Sequence, residues 1–540
     1  MQLRNRALVI ALAVGTAVSG LVGTGPAAAQ EAQDAQGGQQ AQGATPIAWS
    51  TCAADVLAEI PAAERDKVSC ANHPVPLDHS KPNGAKITVA LMKRPAADQA
   101  NKIGSLFINP GGPGGPGLIY SAYGGSFFQP EIMNRFDLIG FDPRGVGRSS
   151  PLRCFKTLEE ANEIFGRMSA IPITRTEIRD TMDATVDYTD ACARNAGPLL
   201  DHMSTEAVAR DLDLFRQGVG DKQLTYVGFS YGTLLGATYA NIFPSKSRAL
   251  VLDGNVDPAL RTSNGAEYDR QRAQGFELAL DAFLKRCDAE GDKCAYSDGD
   301  PRAKFDEVRD HLRTQSITLP SGKVVTYDDY IGQVGGDLYS APRLKALAAW
   351  LQSIYAVLHP STAGVAVQEQ VELLPPLANK RGLADVRAGL PGDTEYLYDD
   401  SYYGVNCTDK PFLRIPQLFP VLAAKWERES PTFGRAQAAS DLMTCPTWPV
   451  PHPDRWAGPW NKRTPNPVVV VGNYYDPATQ YEFSKRMARQ LGNARLISVD
   501  SFGHCILGDS AGADTAVTDY LVNLKAPANG QVFQPNAQPF

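Results

Sequence analysis

Three stretches of the chain carry residues of the types, and in the order, that acyl transfer requires. Gly228-Phe229-Ser230-Tyr231-Gly232 fits G-x-S-x-G, a turn that lifts a serine between a strand and a helix. Leu224-Thr225-Tyr226-Val227 ahead of it reads as a strand, and Thr233 to Ile242 behind it as a helix of small residues. A serine hydroxyl is a weak nucleophile until a base takes its proton. The chain has seven histidines, at 73, 79, 202, 311, 359, 452 and 504. On this type of turn the acid and then the histidine follow the serine in the chain, which sets aside the first three. His311 and His359 lie in a helical stretch, and His452 precedes the strand expected to carry the acid. His504, in Ser501-Phe502-Gly503-His504, remains as the base. Asp476, after the apolar run Val468 to Val471, is the expected acid, with Asp253 and Asp257 after Ala249–Leu252 as rivals. An oxyanion needs two backbone donors. Tyr231 N–H supplies one, and Gly112 in Asn109-Pro110-Gly111-Gly112-Pro113-Gly114-Gly115-Pro116-Gly117 the other. A phosphate cradle is a poor reading of that loop, because its prolines remove donors and no Gly-Lys-Ser/Thr follows.

These residues need elements to hold them. Strand-like runs at Ile87–Met92, Ser105–Ile108, Phe136–Phe141, Leu224–Val227, Ala249–Leu252 and Val468–Val471 alternate with helical patterns, and Arg495–Val499 looks like a last strand. Ala249–Leu252 and Val468–Val471 are apolar at every position, as suits strands covered on both faces, so the fold class is α/β with a mostly parallel sheet. Ser204 or Thr205 can cap a helix whose apolar face is Val208, Leu212 and Phe215. Between 258 and 456 the alternation stops, and helical periodicity appears at Phe276–Cys287 and Arg343–Leu358. That length is too great for a loop, so it reads as a helical cap inserted between a first core part, 46–257, and a second, 457–540. Asp142 and Arg144, in Asp142-Pro143-Arg144-Gly145, read as a structural ion pair or turn beneath the glycine loop.

The same stretches resemble the secreted actinobacterial tripeptidyl aminopeptidases, relatives of prolyl aminopeptidase among the α/β-hydrolases. The resemblance rests on Asn109–Gly114, Phe141-Asp142-Pro143-Arg144-Gly145-Val146-Gly147, Ala209-Arg210-Asp211-Leu212-Asp213, Gly228–Thr233, Cys407-Thr408-Asp409 and Asp476-Pro477-Ala478-Thr479. It implies an α/β-hydrolase fold with a cap, and release of short, tripeptide-like fragments from the free N-terminus of peptides. It also implies a triad of Ser230, Asp476 and His504 with Gly112 in the oxyanion hole. Related sequences can carry an acid just before Cys-Thr-Asp, where this chain has Asn406. The substrate ammonium then falls to a cap carboxylate among Asp393, Glu395, Asp399, Asp400 and Asp409, with Asp409 and Glu395 nominated. A carboxylesterase or other small-molecule ester or amide hydrolase would use the same triad. A non-catalytic binding protein would not need one.

Hydrophobic residues are 43% and charged residues 21% of 540, a balance that supports buried cores rather than a disordered chain. The net charge of −7 offers no basic surface for nucleic acid or anionic membranes. Arg4 and Arg6, the apolar run Ala7–Val22 and Ala27-Ala28-Ala29 read as a signal peptide over 1–29. Residues 30–45, rich in Gln, Ala and Gly, read as a flexible linker or propeptide. A secreted, extracellular monomer is expected, with no membrane attachment after signal removal. Export permits disulfides, and pairing sequence neighbours gives Cys52–Cys70, Cys154–Cys192, Cys287–Cys294 and Cys407–Cys445, with Cys505 left as a packed thiol. No CxxC or HExxH occurs, so no metal is expected, and the chemistry calls for no cofactor.

Overall fold

A computed structural model describes residues 45–360, 394–450 and 454–540. The expected signal peptide over 1–29, the linker apart from Thr45, Asp393 and His452 lie outside the described residues. The strands are β1 (Ser69–Pro76), β2 (Lys86–Arg94), β3 (Gly104–Asn109), β4 (Phe136–Phe141), β5 (Leu224–Phe229), β6 (Ser247–Asp253), β7 (Ile317–Thr318), β8 (Val324–Val325), β9 (Val468–Tyr475), β10 (Ala494–Phe502) and β11 (Gln531–Phe533). Nine of them form one sheet in the order β1-β2-β4-β3-β5-β6-β9-β10-β11. In this sheet β1 and β2 run antiparallel to their neighbours and every pairing from β4 onward is parallel, while β7 and β8 form a separate antiparallel pair. This is the α/β-hydrolase architecture, with β5 at the centre.

Both faces of the sheet are covered, which is why its central strands are rich in apolar residues. Val468, Val470, Tyr226 and Leu252 point into one core with Val208, Leu212 and Phe215 from the helix Thr205–Gly218. Val469, Val471, Val227 and Val251 point into the other with Val517, Tyr520 and Leu521 from the helix Ala511–Asn523. The alternation within a single run is the two-residue period of a strand. Ser204 caps the helix Thr205–Gly218, its hydroxyl accepting from Ala207 N–H.

The helical region between β6 and β9 packs around a third core, with Phe276, Phe283, Leu284, Tyr330, Leu347 and Trp350 at its centre. It is built on the long helices Gly265–Glu290 and Leu344–Leu358. It also takes in a segment expected to belong to the first core part. The helix Arg175–Asn195 sends Tyr188 O–H to Asp400, 2.9 Å away, and Ile171 sits in the same core as Phe276. The helical layer is therefore assembled from two stretches of chain, not from 258–456 alone. Residues 45–540 form one compact unit.

Four disulfides join Cys52 to Cys70, Cys154 to Cys192, Cys287 to Cys294 and Cys407 to Cys445, and Cys505 is free. Arg144 is fully buried and paired with Asp211, its Nε and second guanidinium nitrogen lying 2.8 and 2.7 Å from the two carboxylate oxygens. The same guanidinium donates to the carbonyls of Pro76, Leu77 and His202. Asp142 is not its partner. That carboxylate accepts from Leu118 and Arg148 N–H and shapes the turn beside the glycine loop. No helix among the described residues is long and apolar enough to cross a membrane.

The Cys407–Cys445 bridge closes a loop of sequence separation 38 within the helical region. Chain entropy alone makes such a closure worth about 4 kcal/mol. The double substitution Cys407→Ala, Cys445→Ala is expected to lower Tm in scanning calorimetry while leaving the far-ultraviolet circular dichroism of the folded protein unchanged.

Candidate active site

Ser230 stands one residue beyond the end of β5 with φ of 57°, a left-handed backbone that few non-glycine residues adopt. Its N–H donates to the carbonyl of Asp253 at 2.8 Å, and its carbonyl accepts from the Thr233 N–H and hydroxyl. The elbow tolerates no side chain beside it. A Cβ on Gly111 would lie 2.8 Å from Tyr231 N and 2.9 Å from Ser230 Cβ. That closeness sets the glycine loop directly against the serine. Asn109 Oδ1 holds the start of the loop by accepting from Gly111 N–H at 3.0 Å. Gly112 is exposed and Ser230 half-buried, so both can be reached from outside. The N–H groups of Gly112 and Tyr231 donate to no protein acceptor among the described residues.

His504 follows β10, and Asp476 follows β9, its neighbour in the sheet. His504 Nδ1 lies 3.0 and 2.9 Å from the two oxygens of Asp476. The carboxylate also accepts from Ala478 and Thr479 N–H at 2.9 and 2.8 Å, and from the Thr479 hydroxyl at 2.9 Å. With so many donors it is fixed in orientation. The same hydroxyl is 3.3 Å from His504 Nδ1, so Thr479 braces both partners. With Nδ1 engaged, Nε2 is the nitrogen left for chemistry. Asp257, a rival for the acid, is the cap of the helix Pro258–Ser263 and is bound by Gln490 and Arg486. Asp253 does not bond the imidazole either: one of its oxygens accepts from Ile506 and Leu507 N–H, just beyond His504.

The helical layer supplies part of the histidine's seat. His504 N–H donates to the Tyr339 carbonyl at 2.9 Å, and the Tyr339 ring meets the imidazole edge-on at a centroid distance of 5.2 Å. On the core side, Asn473 Nδ2 donates to Gly503 O at 2.8 Å. Across the site, the glycine loop touches the start of the helix Ser401–Asp409, where a Cβ on Gly114 would come within 2.9 Å of Tyr402 N. Sequence reasoning missed Tyr339 and Asn473. Tyr339 acts through its backbone, which leaves no mark on residue type. Thr479 could have been found as a hydroxyl three residues after a candidate acid.

Neither nominated ammonium ligand faces this cleft. Asp409 is 1% exposed and accepts from Thr205 N–H at 3.1 Å and from the Thr205 hydroxyl, which also meets the Tyr231 hydroxyl. It anchors the residue after the serine from behind. Glu395 lies at the surface, paired with Arg153 at 3.1 Å. Asp400 is buried among Tyr188, Tyr396 and Cys154 N–H, and burial pushes its carboxyl up to about 7. Asp399 is tied to Gly147 N–H and Ser401. Asn406 accepts from Arg261, whose guanidinium lies over the rings of Tyr231 and Tyr268.

Residues 104–331 match the α/β-hydrolase fold family, and 430–532 match the family described as TAP-like protein. Together the fold and these matches define a serine hydrolase. The chain is 30% identical over 499 residues to the serine protease Hip1 of Mycobacterium tuberculosis, covering 90% of each chain. It is 31% identical over 537 residues to a protein of the same organism named carboxylesterase B, covering 96% of each. The tripeptidyl aminopeptidase of Streptomyces lividans is 29% identical over 503 residues, 91% of this chain and 87% of the other. This chain belongs to the tripeptidyl-aminopeptidase-like family of α/β-hydrolases.

Thr479→Val keeps the volume of the side chain and removes its hydroxyl from Asp476 and His504. A hydrogen bond to a charged group is worth about 1.5–3 kcal/mol, so kcat is expected to fall about tenfold or more with KM nearly unchanged. Steady-state kinetics on a short-chain ester measures this split.

Proposed function

We propose that this protein is a secreted serine peptidase that releases short, tripeptide-sized fragments from the free N-terminus of peptides. The observation that carries the catalytic part is the Asp476 carboxylate laid against His504 Nδ1 at 2.9 Å. That contact fixes the tautomer in which Nε2 accepts the Ser230 proton. Ser230 Oγ attacks the scissile carbonyl, and the Gly112 and Tyr231 N–H groups receive the oxyanion. Asp476 stabilises the imidazolium. His504 then protonates the leaving amine, and the acyl-enzyme is hydrolysed by a water that His504 activates. The reading as a peptidase is supported by the relatives named serine protease and tripeptidyl aminopeptidase. Secretion is supported by the four disulfides and by the composition of residues 1–29. The helical layer at the mouth of the site favours short or unfolded peptides over folded proteins.

An esterase reading has two observations of its own. One relative is named carboxylesterase B, and both carboxylates nominated for the ammonium are engaged elsewhere. Three chromogenic substrates separate the readings, with Ser230→Ala as blank: a free-amine tripeptide anilide, its N-acetylated twin and a short-chain nitrophenyl ester. Turnover of the free-amine anilide, lost on acetylation, is the expected result. Rapid ester cleavage with both anilides untouched would overturn the peptidase reading and leave an esterase.

A further inference from the structure

Asp253, the last residue of β6, touches both halves of the catalytic apparatus without belonging to either. Its carbonyl accepts the Ser230 N–H at 2.8 Å, and the Cys505 thiol lies 3.4 Å from the same oxygen. Its carboxylate Oδ2 accepts from Ile506 and Leu507 N–H at 2.8 and 2.9 Å. The residue is fully buried. The two places it grips are both conformationally unfavourable: Ser230 has φ of 57° and Cys505, directly after His504, φ of 64°. Left-handed non-glycine residues persist only where their surroundings over-determine them. The next residue, Gly254, lies so close that a Cβ there would sit 3.2 Å from His504 Cε1 and 2.7 Å from Cys505 Sγ.

We propose that Asp253 is a positioning residue that sets the spacing between Ser230 and His504, its carbonyl holding the serine turn and its carboxyl the histidine loop. The inference rests on the Ser230–His504 mechanism above, and it gives the Asp at the end of β6 a role distinct from that of the catalytic acid. The carboxyl has a second property that a simple brace would lack. Its Oδ1 has no hydrogen-bond partner among the described residues. Burial, and more weakly Asp476, push its pKa up to about 7, against the pull of the Ile506 and Leu507 N–H groups and of His504. The titratable groups facing it are His504, Asp476 and the Cys505 thiol. As the carboxyl ionises around neutrality, a buried negative charge appears behind the histidine loop.

The test is the rate at which a fluorophosphonate labels Ser230, followed against pH in the wild-type protein, Asp253→Ala and Asp253→Asn. Labelling needs the nucleophile and base but no peptide recognition. Asp253→Ala leaves two buried N–H groups without an acceptor and frees the loop, so its rate is expected to fall about 10- to 100-fold. Asp253→Asn keeps an oxygen for those N–H groups and cannot ionise. It is expected to recover most of the rate. A folded Asp253→Ala labelled at the wild-type rate would overturn the proposal. Should that variant not fold, Asp253→Ser, shorter and without a carboxylate, takes its place: a rate lowered about tenfold or more supports the role, and the wild-type rate overturns it. Absence of labelling in the wild type would bring down the Ser230–His504 mechanism itself, an outcome separate from either.

Discussion

The left-handed backbone at Ser230 sets the terms for everything around it. A serine in that conformation can be presented at the sheet edge only if strand, turn and following helix come very close together. Glycine at 228 and 232 permits this, and Gly111 lets the glycine loop approach from the next strand. The hydrogen bonds that hold the turn come from inside the fold: Thr233 from the helix and Asp253 from β6. The parallel sheet delivers β5, β6, β9 and β10 side by side, so the residues at their carboxyl ends meet without long loops.

The buried charges near the site divide into those that shape it and those that only hold the frame. Arg144 with Asp211 ties β1, the turn after β4 and the helix Thr205–Gly218 together through carbonyls and a carboxylate. Removing either partner would strand the other in a low-dielectric interior, at a cost of about 3–5 kcal/mol. Lys410, fully buried, does the same for the helical layer by bridging Asp269 and Asp441. Asp409 belongs with these, since its carboxylate is spent on Thr205 behind Tyr231.

Much of this was legible in the order of residues. The central strands could be read because, buried on both faces, they are mostly apolar; β4 matches the strand expected at Phe136–Phe141 end to end. β1 escaped notice because SCANHPVP holds two prolines and a histidine and pairs only at the sheet's antiparallel margin. β11 lies beyond the strand expected to be last and has three residues. The helix Arg175–Asn195 was not recognisable as packed, because its buried face is built of Thr181, Ala184, Thr185, Tyr188 and Cys192 rather than large aliphatics. In the candidate site, the pairing of Asp476 with His504 followed from chain order and from strand ends. The ammonium ligands did not follow, because an acidic letter carries no information about which way its side chain faces. Tyr339 and Asp253 were invisible as supports, since both work partly through main-chain oxygens.

The Tyr339 carbonyl holds the N–H of His504, and Tyr339 lies in the helical region rather than in the core. On the function proposed above, the element that decides which molecules reach the serine is thus also a strut of the general base. A graft that exchanged this region for that of a relative would change the substrate range and disturb the imidazole in one stroke. On that same reading, diversification is confined to cap surfaces that leave the 339–340 backbone where it is, and selectivity and turnover are linked traits.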